Sequence, residues 1–157
     1  MSYQTLTLEK DNHVATITLN RPEMMNAFSE QLIWDMGEAT KAVKNDSQIR
    51  ILVITGEGRG FTAGADLSER DASWTDTKDA LERGYYPFIK NIIDMPKPVI
   101  GSINGAAAGI GAAVAMACDL RIMAKEAYIM SVFSNIALVP DGGLSFLLTR
   151  EIGYSRA

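Results

Sequence analysis

Two loops rich in glycine and alanine are the first candidates for chemistry in this sequence. The segment "FTAGADL" (61–67) follows the apolar run "RILVIT", and "AAAGIGAA" (106–113) follows "VIGSI". Each loop leaves a predicted strand and enters a predicted helix, so it carries backbone N–H groups that lack helical partners. Two such donors directed at one point would form an oxyanion hole, and small side chains would let a ligand oxygen approach them. Tight packing of helix against strand is the alternative explanation of the small residues.

Asp141, in "LVPDGG", is the candidate acid and base. One carboxylate can take a proton from one carbon and return it to another, which is the proton transfer that a double-bond shift needs. Apolar neighbours such as Phe133 and Ile110 would raise the pKa of this carboxyl and improve it as a proton carrier. The alternative is structural, because an aspartate here could cap the next helix or form an Asx turn before Gly142.

Other kinds of site find little support in the sequence. Gly109 and Gly111 form a G-x-G, but Val114 holds the third glycine position of a dinucleotide fingerprint and no acidic residue follows at the expected distance. His13, the single histidine, falls in a predicted hairpin, and Cys118 falls on an apolar helix face. The sequence therefore predicts no histidine-assisted nucleophile and no metal site.

Composition indicates one soluble domain that spans residues 1–157. A net charge of −4 argues against nucleic acid as a partner, because no basic surface is available to release counterions. A single cysteine excludes an internal disulfide, from which we expect a cytoplasmic location. Residues 99–118 are uncharged and long enough to span a membrane, but glycines interrupt them and predict a strand, a turn and a helix instead.

The elements that must position these loops alternate between strand and helix. "YQTLTLE" and "HVATITLN" predict a β-hairpin around "KDN", and Ser29 is the expected cap of a helix that reaches about Lys44. Five apolar residues at helical spacing form its predicted buried stripe: Leu32, Ile33, Met36, Ala39 and Val43. The run 50–55 predicts a parallel strand covered on both faces, and the following loop is expected to lead into a helical turn.

The second half continues the alternation. Residues 76–94 have helical spacing, and Pro87 within them must kink or restart the helix. "KPVIGSI" predicts a strand, "GIGAAVAMA" a helix, "DLRIMA" and "AYIM" short strands, and "GGLSFLLTREIG" a further helix. Repeated strand–helix–strand units predict an α/β layer fold with right-handed crossovers.

Four motifs occur in one order along the chain: "LNRPEMMNAF", "GRGFTAGADL", "KPVIGSINGAAAGIGAAVAMACDLRIMA" and "LVPDGGLSFLLTR". Together they resemble the enoyl-CoA hydratase/isomerase (crotonase) superfamily. The resemblance implies a crotonase-like ββα spiral of repeated βαβ units that binds an acyl-CoA thioester. It also implies that two backbone N–H groups stabilise the thioester enolate, with coenzyme A present only as part of the substrate.

The same resemblance assigns residues to these roles. It implies that the N–H groups of Ala63 and Ile110 are the two oxyanion donors. It places the coenzyme A part of the substrate near Met25, Ala63, Gly64, Ala65, Asp66, Leu67 and Ile110. Core packing is the alternative for Met25, and a surface role is the alternative for Arg21 and Arg59 as phosphate ligands. The residues of the acyl-pocket segment, which ordinary core packing would explain as well, are Trp74, Tyr85 and Tyr86.

The sequence departs from the hydratases of this family at both catalytic glutamates. The resemblance aligns these positions with Ala113 and Phe133, neither of which can carry a proton. In several isomerases of the family, among them ring isomerases of phenylacetate degradation and Δ3,Δ2-enoyl-CoA isomerases of fatty acid metabolism, an acidic residue acts at the position of Asp141. We therefore expect double-bond or ring isomerisation. An unconventional hydratase and a non-catalytic acyl-CoA-binding or assembly module are the alternatives.

The family normally continues into a C-terminal helical region, which builds much of a trimer interface and completes the coenzyme A site. This sequence stops at "TREIGYSRA". We therefore expect a core domain truncated at its C-terminus, with apolar surface that promotes association. The resemblance implies a homo-trimer or a dimer of trimers.

Overall fold

The computed structural model describes residues 3–69 and 73–157. These residues form a mixed α/β fold whose strands belong to one large and one small sheet. The strands are β1 (Leu6–Asp11), β2 (Val14–Leu19), β3 (Ile51–Gly56), β4 (Val99–Ile103), β5 (Ala106–Ala108), β6 (Leu120–Met123) and β7 (Tyr128–Met130). The helices are α1 (Glu30–Asn45), α2 (Thr77–Asp79), α3 (Tyr86–Ile93), α4 (Ile110–Ala117) and α5 (Leu144–Ile152).

The large sheet has the strand order β1-β2-β3-β4-β6. Strands β1 and β2 form the predicted antiparallel hairpin, and every later neighbour in this sheet is parallel. Helix α1 connects β2 to β3, helices α2 and α3 connect β3 to β4, and α4 lies between β4 and β6. The predicted α/β fold of repeated βαβ units is confirmed.

Helix α1 begins and packs as its sequence predicts. The hydroxyl of Ser29 accepts a hydrogen bond from the N–H of Leu32 at 3.3 Å, which satisfies one of the unpaired donors of the first turn. All five residues of the predicted apolar stripe are buried, and the helix ends at Asn45, one residue beyond the predicted end. This stripe forms the core together with α3, α4 and the buried residues of the sheet.

Pro87 restarts its helix, as predicted. Between α2 and α3 lies one stretch of π-helix, Ala80–Tyr85, in which the N–H of Tyr86 donates to the carbonyl of Leu81 five residues earlier. Because Pro87 has no N–H to continue an α-helical ladder, a wider turn followed by a new helix start accommodates it. This segment forms one wall of the cavity described below.

The small sheet was not predicted. Strand β5 pairs in parallel with β7, and two isolated bridges extend this layer, from Phe28 to Ala65 and from Thr62 to Ala107. The loop 61–67 makes extended, bridge-type pairs with residues distant in sequence. Of the helical turn predicted after this loop, the structure describes one hydrogen bond, from the N–H of Glu69 to the carbonyl of Asp66 at 3.4 Å, and residues 70–72 lie outside the described residues.

The segment 99–118 forms β4, β5 and α4, as opposed to one long helix. Among residues 3–69 and 73–157, no helix combines the length and apolarity that crossing a bilayer requires. Cys118 is buried in the core, and desolvation raises the pKa of its thiol to about 12, so it acts as a small apolar side chain. His13 is exposed at the hairpin turn, where Nδ1 contacts the Gln48 carbonyl at 2.7 Å.

Candidate active site

Two asparagines hold the loop that follows β3. Asn26 is fully buried and donates through Nδ2 to the carbonyls of Glu57 and Gly60. Asn104 donates to the carbonyls of Gly58 and Gly60 from the other side. The loop is therefore fixed by side chains that lie more than thirty residues away in sequence. Neither asparagine was predicted as a site residue, although both belong to motifs that carry the family resemblance.

Backbone bonds within this loop correct the predicted position of the first oxyanion donor. The N–H of Ala63 donates a hydrogen bond to the Met25 carbonyl at 2.9 Å, so it is not free for a ligand oxygen. The N–H of Asp66 is donated to the Phe28 carbonyl at 3.0 Å. Between them, the N–H of Ala65 donates to none of the described residues. Between Ala63 and Asp66 the available donor is therefore the N–H of Ala65, and the assignment to Ala63 does not fit.

A glycine in the left-handed region brings this loop against the second one. Gly64 has φ +99°, and a Cβ at this position would lie 2.8 Å from the carbonyl oxygen of Ala108. Its own carbonyl accepts the Phe28 N–H at 2.7 Å. No other residue type fits both the backbone angle and the space, so Gly64 sets the distance between the two loops.

The second loop ends at the N-terminus of α4. Gly109, at φ +55° and ψ −124°, precedes the helix and donates its N–H to the Met130 carbonyl. The next N–H, on Ile110, opens the helix and has no acceptor among the described residues. A Cβ on Gly111 would collide with the side chain of Thr62. Both explanations offered for the small residues therefore apply: glycines pack chain against chain, and the N–H of Ile110 is left free.

One cavity of about 430 Å³ brings the candidate residues together. Its lining includes the loop 63–67, Gly109 and Ile110 from the second loop, and Asp141 from the segment before α5. Positions separated by nearly eighty residues in sequence thus share one space. The remaining walls are mostly apolar, which strengthens any electrostatic interaction made inside. The other lining residues are Phe28, Ile33, Glu69, Trp74, Asp76, Thr77, Ala80, Leu81, Tyr85, Val132, Phe133, Ile136 and Leu138.

Asp141 lies in this cavity without the capping role that the alternative interpretation gave it. The N-cap residue of α5 is Gly143, with no side-chain hydrogen bond, and Asp141 contributes only its carbonyl, to the N–H of Leu144. Its Oδ1 is buried and has no hydrogen-bond partner in the described part of the chain. Desolvation raises the pKa of this carboxyl above its ordinary value. A buried, unpartnered carboxylate oxygen beside free N–H donors suits proton transfer.

The positions of the two hydratase glutamates are occupied by packed apolar side chains. Ala113 is fully buried on α4, and Phe133 is 5 % exposed in a short 3-10 helix. Gly142, at φ +57°, closes the space beside Ala113, because a Cβ there would lie 2.9 Å from the Ala113 Cβ. The backbone next to Asp141 therefore occupies the space into which a longer side chain at position 113 would extend.

The predicted coenzyme A residues divide into two groups. Gly64, Ala65 and Leu67 line the cavity, with Leu67 73 % exposed at its rim. Asp66 also lines the cavity, but its carboxylate is engaged by Ser68 and by Arg21 at 2.9 Å. The hydrogen bond from Ser68, and then that from Arg21, hold the pKa of this carboxyl below its usual range. Arg21 therefore forms an ion pair within the chain, which is a structural role and not that of a free phosphate ligand.

Met25 is not among the residues that line the cavity. Its thioether lies 3.0 Å from Nε of Arg59, and its methyl group reaches the space above Gly60. Its contribution to the site is the carbonyl that binds Ala63. Trp74 and Tyr85 do line the cavity, whereas Tyr86 is 60 % exposed and faces outward.

No group of three or more histidine, cysteine, aspartate and glutamate side chains that could hold a metal ion exists within residues 3–69 and 73–157. Besides its backbone donors, the cavity offers the carboxylate of Asp141, whose Oδ1 has no partner among the described residues. The donors suit an oxygen on which negative charge develops, and the carboxylate suits a nearby carbon acid.

Comparison with known proteins gives a consistent result. The family profile described as "Enoyl-CoA hydratase/isomerase" matches residues 9–157. A 1,2-epoxyphenylacetyl-CoA isomerase from Escherichia coli (strain K12) is 43 % identical over 148 residues, which are 92 % of this chain and 56 % of the relative. A probable enoyl-CoA hydratase from Rhodobacter capsulatus is 38 % identical over 157 residues, which are 100 % of this chain and 60 % of the relative.

Solved structures agree in fold as well as in sequence. An enoyl-CoA hydratase from Bacillus anthracis superposes with a TM-score of 0.91 at 31 % identity, and the match covers 98 % of this chain and 60 % of that protein. The chain thus spans about 60 % of the length of the relatives it matches. With a profile match over almost its whole length, the chain belongs to the enoyl-CoA hydratase/isomerase family.

Proposed function

We propose that this chain forms the catalytic core of an acyl-CoA isomerase. The thioester carbonyl oxygen accepts hydrogen bonds from the N–H groups of Ala65 and Ile110. Asp141 removes a proton from the acyl group and returns it at a different carbon. The observation that carries the proposal is the buried, unpartnered Oδ1 of Asp141, which lines the same cavity as both free donors.

The reaction needs one carboxylate and no second acid. Ionised Asp141 takes a proton from a carbon made acidic by the thioester, and the electron pair moves onto the thioester oxygen to form an enolate. The two N–H groups stabilise that oxygen, and comparable donors contribute about 3 kcal/mol each. When the enolate collapses, protonated Asp141 returns the proton two carbons away and the double bond has moved. The apolar surroundings that raise its pKa make the carboxylate a stronger base and so ease the first step, the removal of the proton.

The substrate class is an acyl thioester of coenzyme A, which enters the reaction only as part of the substrate. The relative from Escherichia coli is named for isomerisation of an epoxide on an aromatic acyl group, and this supports ring isomerisation as well as a double-bond shift. Gly64, Ala65, Asp66 and Leu67 are proposed to contact the coenzyme A part, because they form the cavity wall that includes its exposed rim.

The decisive experiment is to identify the product and then replace Asp141. We expect the full chain to move the double bond of a 3-enoyl-CoA, as followed by absorbance and chromatography, and Asp141→Asn to abolish this activity while thioester binding persists. Retention of full turnover by Asp141→Asn would contradict the role of this residue. Water addition to 2-enoyl-CoA without a double-bond shift would identify a hydratase instead. Thioester binding by the wild type without any turnover would identify a binding module.

We also propose that the protein assembles as a trimer or a dimer of trimers in the cytoplasm. The side chains of Leu120, Ile122, Tyr128 and Met130 on β6 and β7 are between 45 % and 66 % exposed, which is an apolar surface suited to association. The single cysteine is compatible with a reducing compartment. Light scattering coupled to size exclusion would measure the assembly, and a monomer at micromolar concentration would contradict it.

A further inference from the structure

Tyr85 stands where two cavities meet. The candidate site cavity and a second space of about 570 Å³ share three lining residues, which are Leu81, Tyr85 and Asp141. The second space lies between α3 and the segment before α5, and its walls include Ile89 and Val139. Two of the three shared residues carry polar groups, so the boundary between the cavities combines a phenol and a carboxylate in largely apolar walls.

The ring of Tyr85 is held in a fixed orientation. It contacts Phe28 edge to face with 6.1 Å between ring centroids, and it lies 6.1 Å from the ring of Phe88 at a tilt of 56°. Tyr85 is also the last residue of the π-helix, and it is only 9 % exposed. A ring packed in this way cannot follow a mobile ligand, so its hydroxyl presents one fixed point for recognition.

The hydroxyl is a neutral donor. Burial first, and then the negative charge of Asp141, raise the pKa of this phenol well above its ordinary value. Tyr85 therefore keeps its proton at every physiological pH. No hydrogen bond joins its hydroxyl to another residue of the described ranges. Since the hydroxyl oxygen is not fully buried, it is open to the cavity, where a ligand oxygen can replace water as its acceptor.

We propose that Tyr85 determines specificity by donating a hydrogen bond from its hydroxyl to an oxygen on the acyl group, beside Asp141. The preferred substrate then carries a hydroxyl, carbonyl, ether or epoxide oxygen close to the reacting carbons, and the second cavity receives the apolar remainder of the acyl group. This inference rests on the proposed function only in taking the cavity as the acyl site. It does not require any particular reaction.

The test measures binding, so that it remains separate from turnover. Calorimetry gives Kd for two matched pairs of ligands: phenylacetyl-CoA with 2-hydroxyphenylacetyl-CoA, and hexanoyl-CoA with 3-hydroxyhexanoyl-CoA. We expect the full wild-type chain to bind the oxygenated member of at least one pair about tenfold more tightly, because the other member leaves the phenol unpaired. The variant Tyr85→Phe keeps the ring and its packing, and it should lose this preference.

Tyr154→Phe is the matched control, because this ring is 90 % exposed and lines neither cavity. It should bind both pairs as the wild type does. The proposal is overturned if the wild type shows no preference in either pair, or if Tyr85→Phe retains it. Failure of the isomerase proposal would appear separately, as unchanged turnover in Asp141→Asn.

Discussion

Asp66 and Asp141 line the same cavity, and their surroundings shift their pKa values in opposite directions. Asp66 accepts hydrogen bonds from Ser68 and pairs with Arg21, and its pKa lies below the usual range. Asp141 has a buried oxygen without a partner in the described chain, and burial raises its pKa. Asp66 lies two residues after Gly64, and Asp141 lies directly before Gly142. Both glycines have φ in the left-handed region. The two loops therefore place carboxylates of the same chemistry in different electrostatic environments.

This difference separates a structural from a catalytic carboxylate. A charge that already has partners stabilises the fold and has little reason to accept a proton. A charge left without partners weakens the fold slightly, but it is ready to exchange a proton with a substrate. In this chain the unpartnered oxygen is on Asp141. Under the proposed function, proton transfer therefore belongs to the loop before α5, whereas Asp66 in the loop after β3 is held by Ser68 and Arg21.

The largest expected contrast is in turnover. Asp141→Asn should lower kcat by about 10²–10⁴-fold, the usual contribution of a general acid or base. Asp66→Asn, which alters another carboxylate in the same cavity, should change kcat less than about tenfold. Steady-state assays with a 3-enoyl-CoA compare the two variants. Equal losses in both would mean that the cavity depends on its total charge, which would remove the distinction between the two loops.

The glycine beside Asp141 should matter next. Gly142→Ala would place a Cβ 2.9 Å from Ala113 and 3.1 Å from Ile89 at φ +57°, so we expect a loss of about 2–4 kcal/mol in the free energy of unfolding. Gly37→Ala is the control, since it lies within α1 with nothing within 4 Å of its Cβ, and it should gain about 0.5–1 kcal/mol. Chemical denaturation measures both. A neutral Gly142→Ala would show that this loop is free to move away from α4.

The two aspartate variants should differ in stability with opposite signs. At neutral pH, Asp66→Asn removes a charge-assisted bond to a mostly buried Arg21 and should cost about 1–3 kcal/mol of unfolding free energy. Asp141→Asn removes an unpartnered buried charge and should gain on the order of 1 kcal/mol. Denaturant titration at pH 7 compares them. A destabilised Asp141→Asn would indicate that this carboxylate has a partner in solution.

The smallest effect is the pH dependence of these differences. Because the pKa of Asp66 is lowered on folding, its stabilisation is present above the unfolded pKa and is lost as the pH falls through the folded one. The pKa of Asp141 is raised, so its penalty develops as the pH rises from the unfolded to the folded value. Titrations between about pH 7 and pH 3 should therefore show both variants converging on the wild type. Differences that stay constant over this range would count against both assignments.

Local patterns predicted most of the elements. The cap at Ser29 and the apolar stripe of α1 depend on residues three or four positions apart, so sequence spacing was sufficient for them. The restart at Pro87 likewise follows from one missing N–H. Strand β5 could not be predicted in this way, because Ala106–Ala108 becomes a strand only by pairing with β7, which begins twenty residues later.

The sequence by itself determined the order of strands and helices apart from β5, the family, and the candidate carboxylate at Asp141. These depend on short-range spacing and on motifs that can be read along the chain. Only the tertiary structure decided which N–H in "TAGAD" is available, because Met25 binds Ala63 from thirty-eight positions away and leaves Ala65 free. The tertiary structure also decided that the side chain of Asp141 does not cap α5, and that Tyr85 and Asp141 line the same cavities. Whether a group is buried or hydrogen-bonded depends on its neighbours in space. In the folded chain, those neighbours are often distant in sequence.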